Sequence, residues 1–213
     1  LVLRQKFSAR EFWPDITEWD CTLFQYIGEI CRFLLKSPVR TDEKRHRIRL
    51  ACGNGLAGGI WEEIQERFQI PHVLEFYAST EGNVSLYNCE GQIGAVGRLP
   101  PFISHRSSVE ILRCDLESGV PFRKTTGFCE RCDPDEPGHA VGRITAETQF
   151  LGYTDHIATE KKIIRDVFAK GDAWFSTGDL LKMDRKGYFY FVDRIGDTFR
   201  WKGENVSTGE VAS

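Results

Sequence analysis

Apolar residues in the first ninety positions alternate between helical and strand-like spacing. Ile60, Trp61, Ile64 and Phe68 recur at steps of three and four, which places them on one face of a helix. Pro71 closes that helix, and the run from His72 to Phe76 reads as the strand that follows. Upstream, Thr22 to Ile27 is β-branched and aromatic enough for a strand. Glu29 to Lys36 has the apolar density of a helix stopped by Ser37-Pro38, and Ile48 to Cys52 is a further strand. Leu1 to Leu3 reads as a short strand. Ser8-Ala9-Arg10-Glu11 matches a capping box that starts a helix around Phe12 to Ile16, with Pro14 tolerable near its first turn. Strand–helix alternation of this kind predicts a parallel α/β layer.

The texture changes near Gly91. Glycine and proline become frequent, and short alternating runs such as Val109 to Arg113 and Gly142 to Thr145 predict a β-rich subdomain, a small antiparallel sheet or distorted barrel. Thr159 to Ile164 reads as a helical turn or two. Asp179 to Met183 and Tyr188 to Val192 read as paired strands around an Asp184-Arg185-Lys186-Gly187 turn, which brings Asp179 and Arg194 together at the open end of the hairpin. The expected organisation is an α/β subdomain over residues 1–90, a β-rich subdomain over 91–192, and a distinct segment over 193–213.

Composition narrows the function classes. With 213 residues, 41% of them hydrophobic and 12% aromatic, the chain can bury a core. A net charge of -3 provides no basic field for nucleic acid, and the mixed-sign run Thr41 to Arg47 reads as a solvated loop. Seven cysteines, an odd number in a chain of this length, point to reduced thiols in a cytosol-like compartment. The sequence shows neither a signal peptide nor an apolar run of the eighteen residues that a membrane span requires. A cytoplasmic protein, or one peripheral to a membrane on its cytoplasmic side, is expected. The chain opens at Leu1 without an initiator methionine and closes at Ser213, which reads as a piece of a longer protein.

Candidate chemistry concentrates in two stretches, Tyr77-Ala78-Ser79-Thr80-Glu81 and Ser176-Thr177-Gly178-Asp179 followed by Asp193-Arg194. Tyr77 offers a flat face for a purine, and Thr80 a hydroxyl for a phosphate oxygen. Glu81 is a hard carboxylate suited to Mg²⁺ that keeps most of its waters. Asp179 can accept from two ribose hydroxyls, and Arg194 can donate to ribose or phosphate oxygens. Together these residues supply what a bound adenylate needs.

At these positions the chain resembles the adenylate-forming enzymes, the superfamily of acyl-CoA synthetases, luciferases and peptide-synthetase adenylation domains. Gly94-Ala95-Val96-Gly97-Arg98, Pro137-Gly138-His139-Ala140-Val141-Gly142 and Gly152-Tyr153 are similar to that superfamily's glycine punctuation, in the same order. Lys6-Phe7-Ser8-Ala9, Gln25 to Glu29, Glu81-Gly82-Asn83 and the run Gly196 to Val206 resemble its fatty acid transport protein branch, the very-long-chain acyl-CoA synthetases. The resemblance implies an adenylate-forming fold, incomplete here, with a hinge near Gly196-Asp197 leading into a mobile C-terminal domain. It implies a fatty acid CoA ligase using ATP, Mg²⁺ and coenzyme A. In that reading Thr80 and Glu81 are catalytic, with Glu81 as the metal ligand. Gly53, Asn54 and Gly55 form the adenine-side loop, Tyr77 lies on the base, Asp179 and Arg194 hold the ribose, and Gly203 flanks the pantetheine path. Tyr26, Phe76 and Ala78 are acyl-pocket wall candidates. The family's phosphate loop and catalytic lysine fall outside the stretch matched, so the segment alone is expected to be inactive.

Three other readings compete. Gly53-Asn54-Gly55-Leu56-Ala57-Gly58 is formally a Gly-x-Gly-x-x-Gly between a strand and a helix, with Glu75 ending the next strand, which is the spacing of an NAD-linked oxidoreductase. A non-catalytic nucleotide- or acyl-binding segment is the second. Cys129 and Cys132 with His139 give a zinc-like grouping, short of the four ligands a structural site needs.

Overall fold

The computed structural model describes residues 1–78, 82–102, 108–196, 199–201 and 204–206, the last two segments by backbone alone. The chain divides into two compact units: Leu1–Phe76 with Tyr87–Gly97, and Tyr77–Leu86 with Arg98–Ser213.

The first unit is the α/β layer. Helix α1 (Ala9–Glu18) starts where Ser8 Oγ accepts the Glu11 N–H, the capping interaction that the sequence pattern predicts. Pro14 sits in the second turn of α1 rather than the first, and the helix turns Trp13 and Ile16 inward. Strand β1 (Leu23–Ile27) alternates exposed and buried residues and is followed at once by α2 (Gly28–Lys36). Strand β2 (Leu50–Asn54) runs parallel to β1, and β3 (Val73–Ala78) runs parallel to β2. Between them α3 (Gly58–Phe68) buries Trp61, Ile64 and Phe68, three of the four residues that predict it. With β4 (Ser85–Asn88) the sheet order is β1-β2-β3-β4, and the unit division falls inside β3 and β4.

Two expectations for this unit fail. Leu1–Leu3 forms no strand; it is exposed, and three residues without a partner strand cannot hold extended structure. The charged run around Thr41 is also not simply solvated. Glu43 is 1% exposed and bonds Arg67 at 2.9 Å, while Arg67 also donates to the carbonyls of Leu35 and Ser37. Burial pushes the Glu43 carboxyl up, but the Arg67 hydrogen bonds outweigh it and hold the group below its ordinary value.

The second unit is a curled six-stranded sheet in the order β5-β10-β9-β7-β6, with β8 on β9. Its strands are β5 (Gly97–Arg98), β6 (Val109–Leu112), β7 (Gly138–Arg143), β8 (Ile163–Arg165), β9 (Ala173–Met183) and β10 (Tyr188–Arg194). β7 pairs antiparallel with β6 and β9, and β9 with β8 and β10. Leu112, Val141, Val167 and Trp174 form a core cluster beneath it. Helix α4 (His156–Lys161) begins three residues earlier than predicted because Asp155 caps it, accepting from Ile157 N at 2.8 Å. Ile163 and Ile164 leave the helix for β8, where their branched side chains fit a pleated surface. A final pair, β11 (Phe199–Trp201) and β12 (Glu204–Val206), is antiparallel.

Candidate functional site

The β9–β10 hairpin forms as its turn residues dictate: the Asp184 and Gly187 backbones close it, and Asp184 Oδ1 accepts from Lys186 and Tyr188 N–H groups. Arg194 and Asp179 are then direct partners in register. An irregularity in the β7–β9 pairing decides where Asp179 points. His139 faces Leu180 and Val141 faces Ser176, so two steps along β7 match four along β9, and Thr177, Gly178 and Asp179 bulge opposite the single residue Ala140. Gly178 carries φ +83, a left-handed conformation in which a side chain is strained. Thr177 fixes the bulge, donating to Ala140 O at 2.7 Å and accepting from Asp179 N at 3.1 Å.

Tyr77, near the end of β3 and within the same compact unit as Asp179, donates its hydroxyl to Asp179 Oδ2 at 2.5 Å. Burial pushes the tyrosine pKa up and the Asp179 carboxylate pushes it further, so the hydroxyl remains a donor across the physiological range. Arg194 Nε lies 3.8 Å from Asp179 Oδ1, with side-chain exposures of 74% for the arginine and 17% for the aspartate. Such a long, wet ion pair contributes little to folding. It leaves the Arg194 donors facing solvent. Asp193 is buried and accepts the Arg194 N–H at 2.8 Å, which fixes the backbone from which Arg194 projects.

A cleft of about 530 Å³ opens beside this bulge, lined by His139, Tyr153, Lys161, Lys162, Ser176 and Gly178 among others. His139 is 4% exposed; one ring nitrogen meets Gly119 O and the other Ser176 Oγ, each at 2.9 Å. Burial lowers its pKa, which favours the neutral ring. Sequence reasoning missed the two lysines, because lysines on an exposed helical turn carry no signal of their own. His139 was visible only as part of a glycine motif and of the zinc-like grouping, neither of which places it in this cleft.

Several of the recognised motifs turn out to have structural work that spacing alone does not reveal. Asn83 donates to Arg143 O at 2.8 Å and Thr148 O at 3.1 Å, and a Cβ on Gly142 would meet Asn83 Oδ1 at 2.1 Å, so the Gly82-Asn83 and Gly142 motifs interlock. Arg98 stacks over Tyr188 at 4.8 Å. Thr159 Oγ1 accepts the Tyr153 N–H at 2.8 Å.

The remaining site candidates divide into three groups. Thr80, Glu81 and Gly203 lie outside the described residues. Gly53 and Asn54 end β2 in the first compact unit and Gly55 follows directly; Gly53 packs so closely that a Cβ would meet Tyr26 O at 2.2 Å. Tyr26 is buried, with its hydroxyl held by Glu75 at 2.5 Å. Phe76 is half-buried near Tyr87, and Ala78 is exposed.

Glu75 disposes of the dinucleotide pattern. It is 1% exposed, and its carboxylate takes Tyr26 Oη on one oxygen and Leu56 N, at 3.0 Å, on the other. The carboxylate that ought to reach a ribose instead faces inward. The zinc grouping fares similarly: both His139 nitrogens are engaged, burial raises the Cys132 thiol to about 12, and among the described residues no three His, Cys, Asp or Glu side chains gather to hold a metal.

No protein-family model matches the sequence. The chain is 49% identical over 214 residues to long-chain fatty acid transport protein 1 of Mus musculus, an alignment covering 99% of this chain and 33% of that protein. It therefore spans about a third of the length of the curated relatives it matches. ATP-bound MatB from Rhodopseudomonas palustris superposes with a TM-score of 0.69 at 23% identity, covering 98% of this chain and 37% of that one. The o-succinylbenzoate CoA synthetase of Bacillus subtilis, in complex with its acyl-adenylate intermediate, superposes with a TM-score of 0.66 at 23% identity over 98% of this chain and 38% of that one. These likenesses establish the fold, a part of the adenylate-forming architecture.

Proposed function

We propose, for a chain that belongs to the fatty acid transport protein branch of the adenylate-forming enzymes, that it carries the nucleotide clamp of a long- or very-long-chain fatty acid CoA ligase. The observation that carries the proposal is the Tyr77 Oη to Asp179 Oδ2 bond, with Arg194 in register and exposed beside it. A carboxylate offers about four acceptor sites. Tyr77 occupies one, which leaves Asp179 able to accept from both ribose hydroxyls while Arg194 donates to ribose or phosphate oxygens. The Tyr77 ring would lie against the purine, Thr80 would bond a phosphate oxygen, and Glu81 would hold a magnesium ion. Gly53, Asn54 and Gly55 serve the adenine side, and Gly203 flanks the path of the CoA arm.

The reaction is displacement at phosphorus. A fatty acid carboxylate oxygen bonds to the α-phosphorus of ATP as the bond to pyrophosphate breaks, and the CoA thiolate then takes the acyl group and releases AMP. Positioning and charge neutralisation dominate such transfers, so an adenosine clamp is the contribution asked of these residues. Bound magnesium would neutralise phosphate charge.

The setting is cytoplasmic, or the cytoplasmic face of a membrane, in keeping with seven free cysteines. Among the described residues no helix is long and apolar enough to cross a membrane. Residues 1–213 alone should show no ligase turnover, since the family's phosphate loop and late lysine are not within them. In the full-length protein, Asp179→Ala and Glu81→Ala should abolish fatty-acid-dependent pyrophosphate exchange into ATP. Exchange at the wild-type rate in either variant would overturn the assignment of that residue.

A further inference from the structure

Glu75 is a buried carboxylate that the proposed chemistry does not use. It lies on β3 in the first compact unit and has partners on two other segments. Tyr26 on β1 donates to one oxygen at 2.5 Å, and Leu56, in the turn after β2, donates its backbone N–H to the other at 3.0 Å, with the Gly55 backbone also favouring the ionised carboxylate. Around that turn the packing is tight. A Cβ on Gly28 would meet Gly55 O at 1.8 Å, and one on Gly53 would run into both the backbone and the ring of Tyr26. The turn Gly53–Leu56 is thus seated on Tyr26 and pinned from below by Glu75.

We infer that Glu75 is a positioning residue for the Gly53–Asn54–Gly55 loop, fixing its backbone through Leu56 and Gly55 and being fixed in turn by Tyr26. The inference rests on reading that loop as the adenine side of the nucleotide site. A buried carboxylate accepting backbone N–H groups sets a loop with little freedom, because releasing either N–H would leave a buried donor unpaired. The titratable groups facing Glu75 are Tyr26 on β1, Cys31 on α2 and Cys52 on β2, all neutral near pH 7, and none brings a positive charge. Burial accordingly raises the Glu75 carboxyl to about 7, so its charge, and with it the strength of its grip on the loop, changes within the physiological range.

The test uses the full-length protein. Glu75→Leu should raise the KM for ATP in pyrophosphate exchange by about tenfold or more, the loss expected for hydrogen bonds to a charged group, while kcat changes far less. Glu75→Gln, which keeps an acceptor for Leu56 N and a partner for Tyr26 Oη, should restore most of the affinity. The ratio of its ATP KM to that of the wild type should change across pH 6 to 8.5 with a midpoint near 7, since only the wild type titrates there. A purely structural side chain would move the melting temperature and leave that ratio flat. A folded Glu75→Leu with ATP KM within about twofold of wild type overturns the inference. Should Glu75→Leu not fold, the pH dependence of the Glu75→Gln ratio decides, and a flat ratio overturns it. Asp179→Ala is the control for the underlying reading. If that variant also leaves nucleotide binding intact, the clamp assignment has failed, and amide exchange at Leu56 then judges the loop directly: faster exchange in Glu75→Leu supports the positioning role, and unchanged exchange overturns it.

Discussion

Two tyrosine–carboxylate hydrogen bonds of the same length, 2.5 Å, hold opposite positions in this molecule. Tyr26–Glu75 sits in the core of the first unit, where Glu75 is 1% exposed and bonds Tyr26 Oη and Leu56 N in the interior. Tyr77–Asp179 sits at a bulge in the second unit, where Asp179 keeps partial exposure and an exposed arginine stands beside it. The chemistry of the two bonds is alike; what differs is whether acceptor capacity is left over. The first carboxylate is consumed by the fold, and the second has capacity to spare for a ligand. The strand sequence Glu75-Phe76-Tyr77 supplies one member of each pair two residues apart.

That contrast fixes the order of expected effects. The largest stability loss belongs to Glu75→Leu, which leaves Leu56 N–H and Tyr26 Oη unpaired in the interior; chemical denaturation should show a loss of about 2–3 kcal/mol. Asp179→Ala should lose no more than about 1 kcal/mol on the same measure, since its neighbourhood is open to water. Equal losses would erase the distinction between the two pairs.

Next in size is a pH effect confined to the buried pair. The Glu75 carboxyl is raised from 4.5 to about 7, so between those values the folded state holds a proton that the unfolded state has released. Stability should therefore fall as pH rises across that window, by at most about 1.4 kcal/mol per pH unit, and level off above it. Denaturation of Glu75→Gln should lack that fall. A wild-type protein that becomes more stable between pH 5 and 7 would show that other groups control the window.

The hydroxyl deletions separate the pairs more finely. Tyr26→Phe should cost about 1–2 kcal/mol of stability, while Tyr77→Phe should cost less and act mainly on adenylate affinity, because Asp179 then loses the donor that orients it. Smallest is Arg194→Ala, with a stability change within about 0.5 kcal/mol and a several-fold weaker affinity for AMP, read by calorimetry. An unchanged AMP affinity would remove Arg194 from the clamp.

How much of this was legible beforehand depends on how local each signal is. The hairpin that pairs Asp179 with Arg194 could be read because its turn residues and its alternation lie within sixteen positions, and α3 because Trp61, Ile64 and Phe68 repeat at helical spacing. The bulge that aims Asp179 could not be read, since it arises from the register against β7, some forty residues away in sequence. The competing dinucleotide reading, which would set Glu75 on a ribose, could not be dismissed from spacing for the same reason: the burial of Glu75 depends on Tyr26 and Leu56, which spacing along β3 does not reveal. Glu43 looked solvated because its partner Arg67 lies twenty-four positions on, on another element.

Calorimetric titration of the full-length protein with AMP, comparing wild type and Asp179→Ala at matched melting temperatures, addresses the clamp most directly. Binding at least about tenfold weaker is expected in the variant, the loss of hydrogen bonds from ribose to a carboxylate. Equal affinity in two equally folded proteins would contradict it.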